Sequence, residues 1–179
     1  MRGSMKVIGL AGWSGAGKTT LLSRVIPCIV ARGKRVSTIK HAHHGFDLDQ
    51  PGKDSYVHRA AGASEVLISS AKRWAIMHEL RAGPEPGLRE LLGRMSAVDL
   101  VIVEGFKREP IPKLEIHRAE VGKPLLCVND AWIVAIASDG PIAGAQLPVL
   151  DIDDAERIAD VLLAEAIPLE RITAAEEVS

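Results

Sequence analysis

The chain has 179 residues, of which 47% are hydrophobic and 25% are charged, and its formal net charge is −1. This length is typical of a single domain, and a net charge near zero provides no global attraction to nucleic acid or to an anionic membrane. No apolar run approaches the roughly 20 residues that a membrane span needs. Cys28 and Cys127 lie in apolar stretches without metal-site spacing, which predicts buried free thiols and a cytoplasmic protein.

Short apolar, β-branched runs alternate with helical patterns along the chain. Residues 1–4 resemble a cloning remnant, and we set them aside. The predicted strands cover residues 6–11, 35–40, 65–69, 74–78, 99–104, 113–117 and 132–137, with a weaker candidate near 150. The predicted helices cover residues 18–32, 54–61, 86–95 and a segment from about 153. Several strands are apolar throughout, which predicts a three-layer α/β fold around a mostly parallel sheet. We expect one domain over residues 5–167 and a C-terminal tail over 168–179.

The two predicted strands within residues 65–78 are joined by the short link SAKR. A parallel crossover needs about a dozen residues or more, so this pair is predicted to be an antiparallel hairpin. We expect the hairpin at the edge of the sheet, where an apolar edge has to be covered. Pairing with a second copy predicts a homodimer that uses residues near 65–80. The alternative is cover by one of the chain's own helices.

Residues 12–20, GWSGAGKTT, contain the full Walker A pattern G-x-x-x-x-G-K-[ST]. The glycines allow successive backbone N–H groups to cradle phosphate oxygens, while Lys18 would neutralise phosphate charge and the Thr19 hydroxyl would bind Mg²⁺. A predicted strand precedes the loop and a predicted helix follows it, so the pattern predicts a P-loop NTPase fold rather than an incidental glycine-rich turn. The predicted nucleotide-binding residues are Gly12, Trp13, Ser14, Gly15, Ala16, Gly17, Lys18, Thr19 and Thr20.

A carboxylate on a neighbouring strand holds the metal ion in P-loop proteins. Asp99 and Glu104 lie at opposite ends of the predicted strand 99–104, roughly 16 Å apart. Ligands bind beyond the carboxyl ends of parallel strands, so we expect Glu104 to act with Lys18 in catalysis and to bind Mg²⁺. Asp99 is interpreted as a turn residue.

The segment 40–55 follows the second strand and is rich in histidine, lysine and aspartate. One interpretation is a switch-like loop that supports the γ-phosphate and Mg²⁺, and another is a transition-metal site. A third is a plain polar loop with Asp54 or Ser55 capping the next helix. The candidates for phosphate or switch contacts are Lys40, His41, His43, His44 and Lys53, and those for Mg²⁺ are Asp47 and Asp49.

Three segments together resemble the MobB family of molybdopterin-guanine dinucleotide biosynthesis adapter proteins. They are GLAGWSGAGKTTLL, VSTIKHAHHGFDLDQPGKDSYVHRAAGA and DLVIVEGFKREPIPKLEIHR, and they span roughly residues 6–139. The second and third segments carry most of the family information, because the Walker A pattern is shared by many proteins. The resemblance implies a GTP-binding, Mg²⁺-dependent homodimer with weak GTPase activity. It also implies a role beside the guanylyltransferase that joins GMP to the pterin of the molybdenum cofactor.

The residues that would select guanine are not evident, because the usual N-K-x-D motif is absent. Asp130 and Asp139 each follow an apolar run and would either pair with guanine or serve as turn residues. Lys107, Arg108 and Lys113 form a proline-stiffened basic loop, which would contact a pterin phosphate or the partner enzyme or remain solvated.

Two other functions stay open at this point. One is a small-molecule kinase, which would need an acceptor pocket and a mobile basic lid. The other is a metallochaperone GTPase that delivers a transition metal through the loop at His41–His44. No arginine is evidently placed to act on the phosphates, so hydrolysis by the protein alone is predicted to be slow.

Overall fold

The structure is a computed structural model that describes residues 5–42 and 45–175. It divides into two compact units, of which the second comprises the described residues of Ala42–Glu90 and the first comprises the rest. The single nucleotide-binding domain over residues 5–167 stays a prediction. Within the described ranges, every helix is too short or too polar to cross a bilayer.

The strands and helices follow the predicted order closely. The strands are β1 (Lys6–Ala11), β2 (Val36–Lys40), β3 (Glu65–Ser69), β4 (Trp74–His78), β5 (Leu100–Glu104), β6 (Lys113–His117), β7 (Ile133–Ser138), β8 (Val149–Asp151) and β9 (Ile167–Pro168). The helices are α1 (Lys18–Ala31), α2 (Asp54–Ala60), α3 (Leu88–Gly93), α4 (Ala155–Glu165) and α5 (Leu169–Ala175). The first eight strands and first four helices were predicted within a few residues.

The main sheet of the first unit has the strand order β2-β5-β1-β6-β7-β8, with β9 beside β1. Every neighbouring pair along this order is parallel, and β9 is antiparallel to β1. The predicted mostly parallel α/β fold is therefore confirmed. The buried cores of β1 and β5 are apolar at successive positions, as expected for strands covered on both faces.

The main hydrophobic core joins one face of this sheet to α1 and α4. In α1 the buried residues Leu21, Val25 and Ile29 recur every four positions and form one stripe. The predicted burial of the cysteines is wrong, since Cys28 and Cys127 are both only partly buried. Cys28 lies beside the stripe, where its thiol donates to the carbonyl of Arg24 at 3.3 Å.

The segment expected to be a C-terminal tail contains the last residue of β9 and all of α5. β6 pairs with β1 at Gly9–Ala11, which leaves the first residues of that strand edge open to another partner. Ile167 and Pro168 pair there with Val7 and Lys6, and so satisfy backbone groups that would otherwise lack partners. This pairing depends on contacts far apart in sequence, and the local pattern gave no sign of it.

The second unit contains α2 and the hairpin of β3 and β4. The two strands are antiparallel, as predicted, and Leu67 lies opposite Ile76. The expected position at the edge of the main sheet is wrong, because β3 and β4 form a separate two-stranded sheet. Leu67, Trp74 and Ile76 are exposed by 59%, 65% and 48%. The homodimer through this region stays a prediction.

Candidate functional site

The glycine-rich loop connects the end of β1 to the first residue of α1. Gly12 has φ of 153°, and a Cβ on it would lie 2.8 Å from the carbonyl oxygen of Ile116 in β6. Gly17 has φ of 90° and ψ of 21°, the left-handed conformation, at the N-cap of α1. Glycine is therefore required at these two positions for the loop to turn tightly against β6 and then enter the helix.

Lys18 folds back over this loop. Its Nζ donates to the carbonyl oxygens of Gly12 and Trp13 at 2.9 and 3.0 Å. Burial lowers the pKa of Lys18. The negative charge of Glu104 opposes this shift, and the positive charges of Lys107 and Lys40 add to it. Lys18 is thus partly desolvated, which favours an anion as its partner.

The first turn of α1 is open to solvent. Ser14, Gly15, Thr19 and Thr20 are exposed, while Ala16 is buried and anchors the loop. The amides at the start of a helix carry partial positive charge and lack partners inside the helix. The loop and the helix start therefore present N–H groups, the Lys18 ammonium and the Thr19 hydroxyl on the same accessible surface.

The side chain of Trp13 in the loop is contacted by residues that precede and follow β6. Its Nε1 donates to the carbonyl oxygen of Pro124 at 2.8 Å. The Nζ atoms of Lys107 and Lys123 lie 5.7 and 5.9 Å from the centroid of its rings, within cation–π range. Trp13 therefore holds two further positive charges near the phosphate loop.

Glu104 lies at the carboxyl edge of the sheet, as expected. It is the last residue of β5 and stands between Leu10 of β1 and Lys40 of β2 in the strand register. Asp99 lies at the opposite end of this strand, where its Oδ2 accepts the backbone N–H of Arg35 at 2.8 Å. That hydrogen bond lowers the pKa of Asp99. The geometry thus favours Glu104 over Asp99 as the carboxylate that accompanies Lys18.

His41 packs directly against the residues that follow Glu104. Its backbone N–H donates to the carbonyl oxygen of Glu104 at 2.8 Å. A Cβ on Gly105 would lie 2.7 Å from the His41 Cβ, and the rings of His41 and Phe106 are 5.0 Å apart. Lys40 and His41 are therefore held at the same sheet edge as the loop. His43 and His44 lie outside the described residues.

The aspartates of the histidine-rich loop have a different partner. In the second unit, the Arg59 guanidinium contacts Asp47 at 2.8 Å and Asp49 at 2.9 Å. The Asp49 side chain is only 1% exposed, and its hydrogen bond is the main cause of the raised pKa of Arg59. Both oxygens of the buried Asp49 accept from Arg59, which gives Asp49 a structural role in place of the open oxygens that a Mg²⁺ ligand needs. Asp47 is 61% exposed and contacts Arg59 through Oδ1 alone, so its role at Mg²⁺ stays a prediction.

The remaining part of that loop offers little support for a metal centre. Lys53 is exposed and is the N-cap residue of α2, without a side-chain capping bond. Neither Asp54 nor Ser55 therefore caps α2 as the plain-loop interpretation expected. Across residues 5–42 and 45–175, no group of three or more histidine, cysteine, aspartate or glutamate side chains is arranged to hold a metal ion.

The burial of Lys113 contradicts the prediction that it belongs to an accessible basic loop. Its side chain is 3% exposed, and its Nζ lies 3.1 Å from Asp130 Oδ2 and 2.7 Å from the carbonyl of Glu109. A buried ammonium needs such partners, so Lys113 has a structural role. The prediction that it contacts a pterin or the partner enzyme is wrong. Lys107 and Arg108 remain exposed. Asp130, which also accepts the N–H of Trp132, is engaged in this pair rather than open to a base.

Arg118 is a site residue that the sequence interpretation missed. A Cβ on Gly17 would lie 3.2 Å from the Arg118 Nε. The Arg118 Nη1 lies 3.8 Å from Oδ2 of Asp139, and Oδ1 of Asp139 accepts the N–H of Ala119 at 3.2 Å. The available signal was the arginine that directly follows β6 in KLEIHR, since β6 pairs with the strand that enters the loop.

The order of these elements defines a class of protein. β1, the loop and α1 succeed one another as phosphate binding requires, at the carboxyl edge of a parallel sheet. The fold and the loop are therefore those of a P-loop protein of the nucleotide-binding type.

Comparison with known proteins identifies the family within this class. The family model described as molybdopterin guanine dinucleotide synthesis protein B, MobB, matches residues 7–139. The molybdopterin-guanine dinucleotide biosynthesis adapter protein of Escherichia coli strain K12 is 45% identical over 160 residues, covering 88% of this chain and 91% of the relative. The adapter protein of Haemophilus influenzae is 42% identical over 165 residues, covering 90% of each chain. The chain belongs to the MobB family, which confirms the resemblance.

Solved structures agree with this assignment. A crystal structure of molybdopterin-guanine biosynthesis protein B superposes with a TM-score of 0.71 at 27% identity, covering 88% of this chain and 98% of the other. The crystal structure of Bacillus subtilis MobB has a TM-score of 0.69 at 25% identity, covering 90% and 98%.

Proposed function

We propose that this chain is an adapter in the biosynthesis of molybdopterin guanine dinucleotide that binds GTP with Mg²⁺ at residues 12–20 and assists the guanylyltransferase that attaches GMP to molybdopterin. The observation that carries the proposal is the placement of Lys18 and Glu104 at one sheet edge in a chain of the MobB family. The two relatives quoted above are named as adapters of this biosynthesis.

The residues at this edge suit a nucleotide and its metal ion. The glycine-rich loop and the open first turn of α1 would donate N–H groups to phosphate oxygens. Lys18 would exchange the carbonyls of Gly12 and Trp13 for phosphate oxygens of the nucleotide. The exposed hydroxyl of Thr19 and the carboxylate of Glu104 supply the oxygen ligands that Mg²⁺ prefers. When bound, Mg²⁺ would neutralise charge on the phosphates.

The protein is proposed to be at most a weak GTPase. Within residues 5–42 and 45–175, lysines and Glu104 lie at the sheet edge that carries the loop, and a water-positioning glutamine is not evident there. Lys40 and His41 would support the γ-phosphate from the end of β2, next to Glu104. The exposed Lys107 and Arg108 would contact the guanylyltransferase or an anionic pterin. A homodimer and a cytoplasmic location complete the proposal.

Two coupled measurements test this function. Calorimetric titration of GTP and ATP, with and without Mg²⁺, should show GTP binding that Lys18→Ala abolishes and the control Lys34→Ala preserves. Formation of the guanine dinucleotide by purified guanylyltransferase should then rise on adding the wild-type chain and should not rise with Lys18→Ala. Equal GTP affinity in wild type and Lys18→Ala would refute the P-loop role. GTP binding without any effect on the guanylyltransferase would refute the adapter role.

A further inference from the structure

Arg118 reaches the phosphate loop because β6 lies beside β1. The strand register pairs Ala11 with Glu115, so the loop begins where β6 approaches its end. The close approach of Gly12 to the Ile116 carbonyl then presses the loop onto that strand. Arg118 follows two residues later, and its guanidinium covers Gly17, with Nε and Nη2 at 3.2 and 3.7 Å from a Cβ placed there.

Lys18 and Arg118 therefore flank the two ends of one loop. The Lys18 ammonium binds the carbonyls of Gly12 and Trp13 at the beginning of the loop. The Arg118 guanidinium lies over Gly17, whose carbonyl accepts the N–H of Leu21 and begins the α1 hydrogen-bond ladder. The amides at that point attract anions, and a guanidinium offers several N–H donors in a geometry that matches phosphate oxygens.

The ion pair of Arg118 leaves room for such a ligand. Its distance to Asp139, 3.8 Å, is long for a salt bridge, and both side chains are 28% exposed. Asp139 is itself anchored by the N–H of Ala119 at 3.2 Å. Asp139 can thus keep the guanidinium in position through Nη1 while Nε and Nη2 lie nearer Gly17.

We propose that Arg118 binds phosphate oxygens of the nucleotide held by the P-loop, and that Asp139 is a positioning residue for Arg118. This inference rests on the proposed nucleotide binding and adds a second protein cation at the phosphates. It also gives the Asp139 carboxylate a role other than guanine recognition. Guanine recognition was one of the two interpretations that the sequence left open for Asp139.

Titration calorimetry with two probes, GTP and inorganic pyrophosphate, tests the role of Arg118. Arg118→Ala should weaken binding of both probes by about ten- to hundredfold, as expected on losing a charge-assisted hydrogen bond. Arg118→Lys should recover part of the loss, because it restores charge without the guanidinium geometry. The control Arg157→Ala, on the exposed side of α4, should bind as wild type. Circular dichroism checks that every variant is folded.

The outcomes separate the two proposals. If the folded Arg118→Ala variant binds both probes as tightly as the wild type, the role of Arg118 is overturned and the proposed function stands. If the wild type binds neither GTP nor pyrophosphate, both the proposed function and the role of Arg118 are overturned. A loss for GTP without a loss for pyrophosphate would place Arg118 at another part of the nucleotide and contradict phosphate binding.

Asp139→Asn tests the positioning role. We expect a severalfold loss of GTP affinity that disappears when Arg118 is already alanine, because Asp139 acts through the guanidinium. The preference for GTP over XTP should stay unchanged. An aspartate that reads guanine would instead shift this preference toward XTP when replaced by asparagine, and would do so in both backgrounds. That result would overturn the positioning role.

Discussion

The buried carboxylate of Glu115 accepts the backbone N–H of Leu126 at 2.7 Å. Its second oxygen accepts the N–H of Cys127 at 2.9 Å, and Glu115 itself is completely buried in β6. Pro124 lies two residues before Leu126, and its carbonyl accepts the indole N–H of Trp13. One carboxylate in the sheet therefore stabilises the segment that supports the phosphate loop.

Glu115→Ala is predicted to destabilise the protein by about 2–4 kcal/mol, because two backbone N–H groups lose a charged acceptor in a buried position. Urea unfolding followed by circular dichroism measures this change in the free energy of unfolding. The exposed neighbour Glu120 provides the control, and Glu120→Ala should alter stability by less than about 0.5 kcal/mol. Similar values for the two variants would contradict the support role of Glu115.

Asp130→Asn should destabilise the protein by about 2–3 kcal/mol, because it leaves the buried Lys113 ammonium without its counter-charge while keeping an acceptor for Trp132. The double variant Lys113→Met/Asp130→Asn should recover most of this loss, since it removes the buried charge as well. Thermal or urea unfolding of the three proteins measures the recovery. An unchanged GTP-over-ATP preference in the double variant is also expected, and its loss would return Asp130 to base recognition.

Glu104→Gln should weaken Mg²⁺-dependent GTP binding more than Mg²⁺-free binding, because the substitution removes charge but keeps shape. Asp99→Asn is the matched control at the other end of β5. Calorimetric titration of both variants with and without Mg²⁺ makes the comparison. Loss of the Mg²⁺ dependence in Asp99→Asn but not in Glu104→Gln would show that the metal binds elsewhere.

Trp13 fluorescence should change when nucleotide binds, because the indole lies against the loop between Lys107, Lys123 and Pro124. The substitutions Trp74→Phe and Trp132→Phe isolate this signal, and a GTP titration of that variant gives the binding curve. The same titration with Lys18→Ala should be flat. A flat curve for the protein with intact Lys18, under conditions where calorimetry detects binding, would show that Trp13 does not sense the phosphates.

Local patterns in the sequence determined most of the strands and helices of both units. Apolar runs predicted β1 to β8, and helical periodicity predicted α1 to α4, because burial of one stripe or of whole strands leaves a periodic trace. The Walker A spacing likewise located the phosphate loop, and the position of Glu104 at the end of β5 followed from the direction of a parallel strand. These features depend on residues close together in the chain, so the sequence contains them directly.

Pairing between distant segments decided the rest. The register of β6 beside β1 brings Arg118 over Gly17, and no local pattern specifies that register. Burial of Lys113 against Asp130 turned an expected surface cation into a core residue. Strands β3 and β4 are antiparallel, as predicted, yet they form their own sheet in the second unit. A side chain's charge and size are written in the sequence, but its solvent exposure and its partners arise only when strands from distant parts of the chain pair.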